Sequence, residues 1–440
     1  MQTNNEKIPL WRQLLATAQV IQSVREGASG SAAVEAVHAE LRPGVQALAF
    51  HAWRNLGRAE ALRRLLAKRA PPPLADALLC LALALVWSDA GAPYDPFTLV
   101  NQCVEAAKKS PDTRAQANFV NACLRRFLRE RVALVAATDA DPVARWNHPL
   151  WWIQRLKKDH PGHWQNLLEA ANRQAPMVLR VNALQTSVSN YLAELEAVGI
   201  QARAAGPFGI ELAKAVPVNL LPGFGSGRVS VQDTAAQMAA PLLLEGLAPN
   251  TLPRVLDACA APGGKTGHLL ELGVAHVTAL DVDAARCARI RQNLTRLGLA
   301  AEVIAADAAQ PDAWWDGKAF DAILLDAPCT ASGIVRRHPD IRWLRRETDI
   351  AQLATLQRKL LAALWPLLAP GGRLLYCTCS LFLAEGQQQV ETFLAHNTDA
   401  TLLPSPGHLI LASPGKQDAV TDNSGEHDGF FYALLQKQSS

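Results

Sequence analysis

The chain has 440 residues, of which 49% are hydrophobic and 19% charged, with a formal net charge of +3. Its length allows two or three domains with large cores. The near-neutral charge confines any nucleic-acid affinity to local basic patches, and the eight scattered cysteines do not form a secreted disulfide framework. MQTNNEKIPLW at the N-terminus carries no apolar signal core, which leads to the expectation of a cytoplasmic protein.

Residues 1–145 are rich in Ala, Leu and Arg, with apolar residues at three- and four-residue spacing, as in VQALAFHAWRNLGRAEALRRLLAKRA. That period predicts an all-helical domain. The apolar run ALLCLALALVW, residues 77–87, is eleven residues long, whereas a membrane span needs about twenty. A buried helix is expected there. PPP at 71–73 breaks the preceding helix, and GAPYDPF at 91–97 reads as a loop. Arg54, Arg58, Arg63, Arg64, Lys68 and Arg69 form one basic cluster, and Arg125, Arg126, Arg129 and Arg131 another. Each is either a solvated helix face or a nucleic-acid surface.

Residues 146–228 form the second expected segment. It comprises a Trp-rich helical connector to about residue 175 and a small α+β module in which MVLRVNAL is a strand and SVSNYLAELEAVGI a helix closed by Gly199. The connector's tryptophans are expected to pack rather than to stack on bases.

From 229 to 440 the pattern changes to short apolar strands alternating with helices. VLDACA (255–260), HVTALDV (276–282), AEVIAAD (301–307), FDAILLD (320–326) and RLLYCTCS (373–380) read as strands of an open, mostly parallel, doubly wound α/β sheet. Ligands in such sheets bind at the carboxyl ends of the strands. DACAAPGGKTG ends one strand and opens a helix there. A phosphate-cradling P-loop would need a glycine where Cys259 stands, and a dinucleotide fingerprint would need more than the pair Gly263–Gly264. What remains is a tight turn of backbone N–H groups at a helix N-terminus, suited to a single carboxylate. Asp281, 24 residues after Asp257, stands where an acidic side chain takes ribose hydroxyls in nucleotide-binding sheets. Asp307 and Asp326 end the next two strands in this reading, and three such carboxylates beside a Gly turn favour a nucleoside-containing cofactor over isolated turn caps. Two thiols, Cys329 and Cys379, also stand at strand ends. Cys377 shares a strand face with Cys379, but no partner pair gives it metal spacing, so it reads as a small buried hydrophobe. Lys265 is either a ligand contact or a solvated residue of the first helical turn.

The run DACAAPGGKT, ALDVD, ILLDAPCTASG, RRHPDIRW, LYCTCS and DGFFYALL resembles the RsmB (Fmu/Sun) family of bacterial 16S ribosomal RNA cytosine-C5 methyltransferases. The likeness runs along nearly the whole chain. NFVNACLRRF resembles part of the antitermination factor NusB, and LRVNAL resembles the family's small RRM-like module. The resemblance implies three domains: NusB-like all-α, 1–145; connector and RRM-like module, 146–228; Rossmann-like methyltransferase, 229–440. It also implies S-adenosyl-L-methionine as cofactor and 16S rRNA as partner, with a monomer and neither membrane nor metal expected. Carried onto matching positions, Cys259, Ala260, Ala261, Pro262, Gly263, Gly264 and Lys265 would line the methionine and ribose side of the cofactor. Asp281 would take the ribose hydroxyls, Asp307 the adenine end, and Asp326 would lie beside the transferred methyl and the cytosine N3/N4 edge. Cytosine C5 is too electron-poor to attack a methyl sulfonium directly, and a thiolate added at C6 turns it into a nucleophile. The resemblance assigns that thiolate to Cys379 of Thr378-Cys379-Ser380 and gives Cys329 a secondary part in product release. Arg336, Arg337, Arg342, Arg345 and Arg346, close after Cys329, are expected to hold RNA phosphates around the base, the alternative being an exposed basic helix face. His338 and Trp343 could stack on the base, but the tryptophan is expected rather to pack. Transfer RNA or protein as substrate, or a non-catalytic assembly factor, are the competing readings.

Overall fold

A computed structural model describes residues 8–88, 93–247, 253–410 and 426–439. Residues 1–7, on which much of the reading of the N-terminus rests, and residues 91 and 92 of the expected loop 91–97 lie outside it. The chain divides into two compact units, Met1–Arg173 with Val335–Arg346, and Gln174–Ile334 with Glu347–Ser440.

The first unit is helical. Its central helix, Pro73–Val86, is buried at every position from Leu74 onward, because a helix that is apolar on all sides is stable only when other helices surround it. Each fully buried leucine there contributes roughly 1.5–3 kcal/mol. The one carboxylate in this helix, Asp76, accepts from Arg25 at 3.0 Å and pairs with Arg63 at 3.0 Å. The first basic cluster is therefore split, with Arg58 buried, Arg54 and Arg63 half-buried, and Arg64, Lys68 and Arg69 exposed. Arg58 is buried and donates to Thr138 Oγ1 and Asp139 Oδ1, both at 2.6 Å, and Arg64 pairs with Asp141 at 2.7 Å. The second cluster keeps Arg125, Arg126 and Arg129 exposed on the helix Ala117–Ala137. In the connector Trp152 is buried, and Trp146 meets Trp164 edge-on at 5.2 Å.

In the segment Val335–Arg346 the expectation of phosphate-holding arginines is corrected for Arg336 and Arg342, whereas Arg337 and Arg345 are half-buried and Arg346 is exposed. Arg342 is completely buried and donates to Asn172 Oδ1, to Asn147 O at 3.2 Å and to Ala171 O at 2.6 Å. Arg336 is buried as well, and Trp343 Nε1 donates to Trp53 O at 2.9 Å. Guanidinium groups spent on internal carbonyls are not available to phosphates.

The second unit holds two sheets. Strands β1 (Met177–Val181), β2 (Ala202–Ala204), β3 (Gly209–Leu212) and β4 (Val229–Val231) form an antiparallel sheet ordered β2-β3-β1-β4. The expected helix lies at Val188–Ala197, capped by Ser187 Oγ on Asn190 N–H. Strands β5 (Arg254–Ala258), β6 (His276–Asp281), β7 (Glu302–Ala305), β8 (Phe320–Asp326), β9 (Leu368–Thr378), β10 (Ala400–Leu409) and β11 (Phe430–Lys437) form the second sheet, ordered β10-β11-β9-β8-β5-β6-β7. The run β9-β8-β5-β6-β7 is parallel, whereas β11 lies antiparallel to both β9 and β10. Chain order reverses around β5, which has β6 on one side and β8 on the other, so the crevice at the carboxyl ends of these strands is the place for a ligand. No helix among the described residues is long and apolar enough to cross a membrane.

Candidate active site

Two turns and two strand ends build the site. The first turn follows β5. Cys259 takes φ +60° and Gly263 φ +92°, and a Cβ at Gly263 would lie 3.1 Å from Ile290, so the second of these positions requires glycine. The helix Gly264–Glu271 starts directly afterwards. Its first intrahelical bond runs from Gly267 N to Gly263 O at 2.9 Å, which leaves the amides of Gly264, Lys265 and Thr266 without a carbonyl of the same helix four residues back. Ala261 N donates to Asp281 Oδ2 at 3.1 Å, and Asp281 Oδ1 accepts from Asp283 N at 3.2 Å. A buried carboxylate at the end of β6 thus faces a turn of N–H groups at a positive helix end. This donor set fits a nucleoside cofactor with one carboxylate, with Cys259–Lys265 and Asp281 as the residues able to hold it. Asp307 lies two residues beyond β7, and its carboxylate accepts from Ala309 N and Gln310 Nε2, both at 2.9 Å. These bonds hold its pKa below the ordinary carboxylate range.

Asp257, fully buried in β5, accepts from Thr266 Oγ1 at 2.6 Å. Burial pushes its pKa up to about 7, against the pull of that hydrogen bond. Burial, followed by the charges of Asp326, Asp281 and Asp257, also raises the Cys259 thiol. The Cys259 thiol is therefore no ready anion at neutral pH.

At the end of β8, Asp326 accepts from Lys265 Nζ at 2.7 Å. Lys265 is therefore an inward-facing partner of Asp326 rather than a solvated residue. Burial is the largest influence and lowers its pKa, but the charge of Asp326, the charge of Cys377, the hydrogen bond to Asp326 and the charge of Cys379 together outweigh it, and the net direction is upward. Cys377 Sγ also approaches Asp326, at 3.6 Å, and is fully buried. Its thiol is pushed up by burial and then by the charge on Asp326.

Beyond β8 and β9 the two remaining cysteines meet. Strand β9 ends at Thr378, so Cys379 is the first residue past it, half-buried, and its Sγ lies 3.4 Å from Sγ of the buried Cys329. Cys329 is held well above the ordinary thiol range by its hydrogen bond to Cys379, by burial, and by the charges of Cys379 and Glu385. The more accessible sulfur is thus Cys379, and Cys329 is kept as a thiol.

The turns are fixed from behind by residues that the sequence reading passed over. Glu385 is fully buried and accepts from Thr330 N at 2.8 Å, Thr330 Oγ1 at 2.5 Å and Ser380 Oγ at 2.6 Å. The signal was an acidic residue in the apolar run SLFLAEG, six residues after Cys379; a carboxylate in such a run must find donors. Gly333 N donates to Cys379 O at 2.9 Å, and a Cβ on Gly333 would lie 2.0 Å from Gly429 O. The Asp428-Gly429 pair of the C-terminal motif thereby packs against the cysteine-bearing turn.

Residues 244–436 match the family described as 16S rRNA methyltransferase RsmB/F. Residues 148–219 match the ferredoxin-like domain of RsmF/B-like methyltransferases, and residues 13–129 match the NusB family. The chain is 40% identical over 430 residues to ribosomal RNA small subunit methyltransferase B of Vibrio cholerae, covering 96% of each protein. It is 49% identical over 323 residues to the Pseudomonas putida protein of the same description, covering 72% of this chain and 73% of that one. Among solved structures, a methyltransferase homolog from Pyrococcus horikoshii is similar with a TM-score of 0.55 and 28% identity, over 68% of this chain and 98% of that one.

Proposed function

Because the chain belongs to the RsmB/F family of S-adenosylmethionine-dependent rRNA methyltransferases, we propose that it methylates C5 of a cytosine in 16S small-subunit rRNA through a covalent adduct between Cys379 and C6 of the base. The observation that carries this reading is the 3.4 Å approach of Cys379 to Cys329 at the carboxyl edge of the sheet, beside the Asp326–Lys265 pair. Methylation of an exocyclic amine needs no thiol, and a solitary structural cysteine needs no second sulfur.

The residues divide the work as follows. Cys379 Sγ adds to C6, forming the S–C6 bond and placing the C5–C6 π pair at the disposal of C5. Asp326, anchored by Lys265 Nζ at 2.7 Å, binds the N3/N4 edge of the base and favours a protonated ring during attack. Bound S-adenosylmethionine supplies the electrophilic methyl carbon. Loss of the C5 proton re-forms the double bond as the S–C6 pair returns to sulfur. Cys329, kept as a thiol, stands 3.4 Å from the Cys379 sulfur as a hydrogen-bond donor when that sulfur departs. The cytosine must leave any stack to reach these groups, so a single-stranded or loop target is expected.

The test is incubation with tritiated cofactor and undermethylated small-subunit rRNA, followed by nucleoside analysis. Label in 5-methylcytosine is expected; label elsewhere, or none while cofactor binds normally, overturns the reading. Cys379→Ala is expected to abolish transfer and adduct together, and Cys329→Ala to let the covalent complex accumulate. If Cys329→Ala alone loses the adduct, the two roles are reversed.

A further inference from the structure

We propose that Glu385 is the positioning residue that clamps the two cysteine-bearing turns and so sets Cys379 against Cys329; the proposal deepens the covalent reading above and rests on it. The residue directly after each cysteine is tied to this one carboxylate. Thr330, after Cys329, donates its N–H to Oε1 at 2.8 Å and its hydroxyl to Oε2 at 2.5 Å. Ser380, after Cys379, donates its hydroxyl to the same Oε2 at 2.6 Å. Gln357 Nε2, from the helix Glu347–Leu364, reaches both Oε1 at 3.3 Å and Pro328 O at 2.9 Å. The peptide carbonyl of Glu385 closes the loop from the other side, accepting from Tyr376 at 2.8 Å and Thr378 Oγ1 at 3.2 Å.

Two features separate a clamp from ordinary loop packing. Every donor comes from the two turns or from the helix behind them, so the carboxylate bridges segments about fifty residues apart in sequence. Its full burial means that no water can replace a lost partner, and a network of this kind is worth more complete than in part. Bonds from Ser332 Oγ to Ser380 Oγ at 3.0 Å and from Gly333 N to Cys379 O at 2.9 Å link the turns independently. Loss of Glu385 therefore loosens the sulfur pair without dismantling the sheet.

The test uses the full chain and two independent readouts, with Glu385→Ala, Glu385→Gln, Thr330→Val and Ser380→Ala. The first is the rate at which diamide joins Cys379 to Cys329, read by mass spectrometry of the linked peptides. In that reaction both thiols give up their protons and two electrons to the diazene, which becomes the hydrazine, and the S–S bond forms. The second is kcat and KM for methyl transfer. Glu385→Ala loses charge-assisted hydrogen bonds worth about 1.5–3 kcal/mol each, so trapping and kcat are both expected to fall at least about tenfold, with KM for the cofactor unchanged. Glu385→Gln keeps an acceptor for Thr330 N and a polar group for the hydroxyls, and is expected to recover most of both. Thr330→Val removes one arm, and Ser380→Ala removes its arm together with the bonds of Ser380 Oγ to Ser332 Oγ and Phe382 N. Each keeps the carboxylate, whose remaining arms still hold the turns, and each is expected to slow trapping roughly two- to fourfold. Wild-type trapping rates in folded Glu385→Ala overturn the proposal, as does Glu385→Gln behaving no better than Glu385→Ala. If Glu385→Ala does not fold, unchanged trapping in both single-arm variants overturns it instead. Trapping that depends on Glu385 in a protein that makes no 5-methylcytosine would leave the clamp standing and remove the covalent reading.

Discussion

Arg180→Met should damage the cofactor turn from a distance. Arg180 lies in β1 of the small sheet, and its guanidinium is completely buried with the Glu271 carboxylate of the helix Gly264–Glu271. Nε and Nη2 donate to the two Glu271 oxygens at 2.8 Å each, and Nη1 donates to Gln232 Oε1 and, at 2.7 Å, to Gly264 O. Removing the cation strands a buried anion. The cheapest escape is protonation of Glu271, which from an ordinary value of 4.5 costs about 1.36 × (7 − 4.5) ≈ 3.4 kcal/mol at pH 7. The lost bonds to Gln232 and Gly264 add roughly 1 kcal/mol together once water competes for those groups. The sum falls in the range of about 3–5 kcal/mol for breaking one side of a buried pair.

The sign of the pH dependence follows from the same group. Burial already raises Glu271, with the Arg180 bonds pulling it down, and without Arg180 it rises further. A raised carboxyl contributes stability that is fully present below its unfolded value and is lost as pH climbs through its folded one. The deficit of the variant should therefore shrink by about 2 kcal/mol between pH 7 and pH 5.5. Hydrogen exchange of amides in the helix Gly264–Glu271 reads this opening free energy locally. A deficit below about 1 kcal/mol at pH 7, or one that does not shrink on acidification, would refute the reasoning. Arg180→Met/Glu271→Leu should regain most of the stability, because an apolar pair replaces a buried ionic one at little cost. Its cofactor affinity should stay low, because the bond to Gly264 O is missing in both variants.

Four further outcomes are expected. Arg342→Met removes donors to Asn172 Oδ1, Asn147 O and Ala171 O, so the helical unit should lose about 3 kcal/mol while the salt dependence of RNA binding stays the same. Arg129→Ala, on the exposed face, should instead lower the slope of log K against log salt by about 1. Asp281→Ala should weaken S-adenosylhomocysteine binding about a hundredfold by titration calorimetry, and Asp281→Asn, which keeps an acceptor for Ala261 N, less; a change under about threefold in Asp281→Ala would exclude the ribose role. Cys377→Ala should cost roughly 1 kcal/mol of stability and leave methyl transfer within about twofold; a much larger loss would mean that Asp326 depends on the 3.6 Å sulfur contact.

The parallel strands were legible because each is a short apolar run flanked by turn residues, and Asp281 and Asp326 are the last residues of β6 and β8. The antiparallel strands β10 and β11 were not anticipated. Much of β10 is half-exposed and carries two prolines, and it pairs through an irregular register at Leu403/Gly407, so its pattern lacks the apolar run that marks a buried strand. Asp307 illustrates a finer limit. The apolar run AEVIAAD does not say where pairing stops, and pairing stops at Ala305. Arg336 and Arg342, two of the five arginines after Cys329, misled for a different reason. A cluster of cations in sequence has the same composition whether it faces solvent or internal carbonyls, and only the fold places Arg342 against Asn147, Ala171 and Asn172.

The division between the two thiols is where structure adds most to sequence. DAPC and TCS each offered one cysteine, and resemblance alone assigned their roles. Nucleophilic attack requires a sulfur that is both ionisable and reachable. Cys329 is buried, hydrogen-bonded to Cys379, and close to the negative Glu385, and all three influences favour its protonated form. In the proposed reaction the Cys329 thiol lies 3.4 Å from the Cys379 sulfur, placed to donate a hydrogen bond to it. The pair is asymmetric by burial and by neighbouring charge, and that asymmetry supports the proposed division, with attack assigned to Cys379 and a part in product release to Cys329.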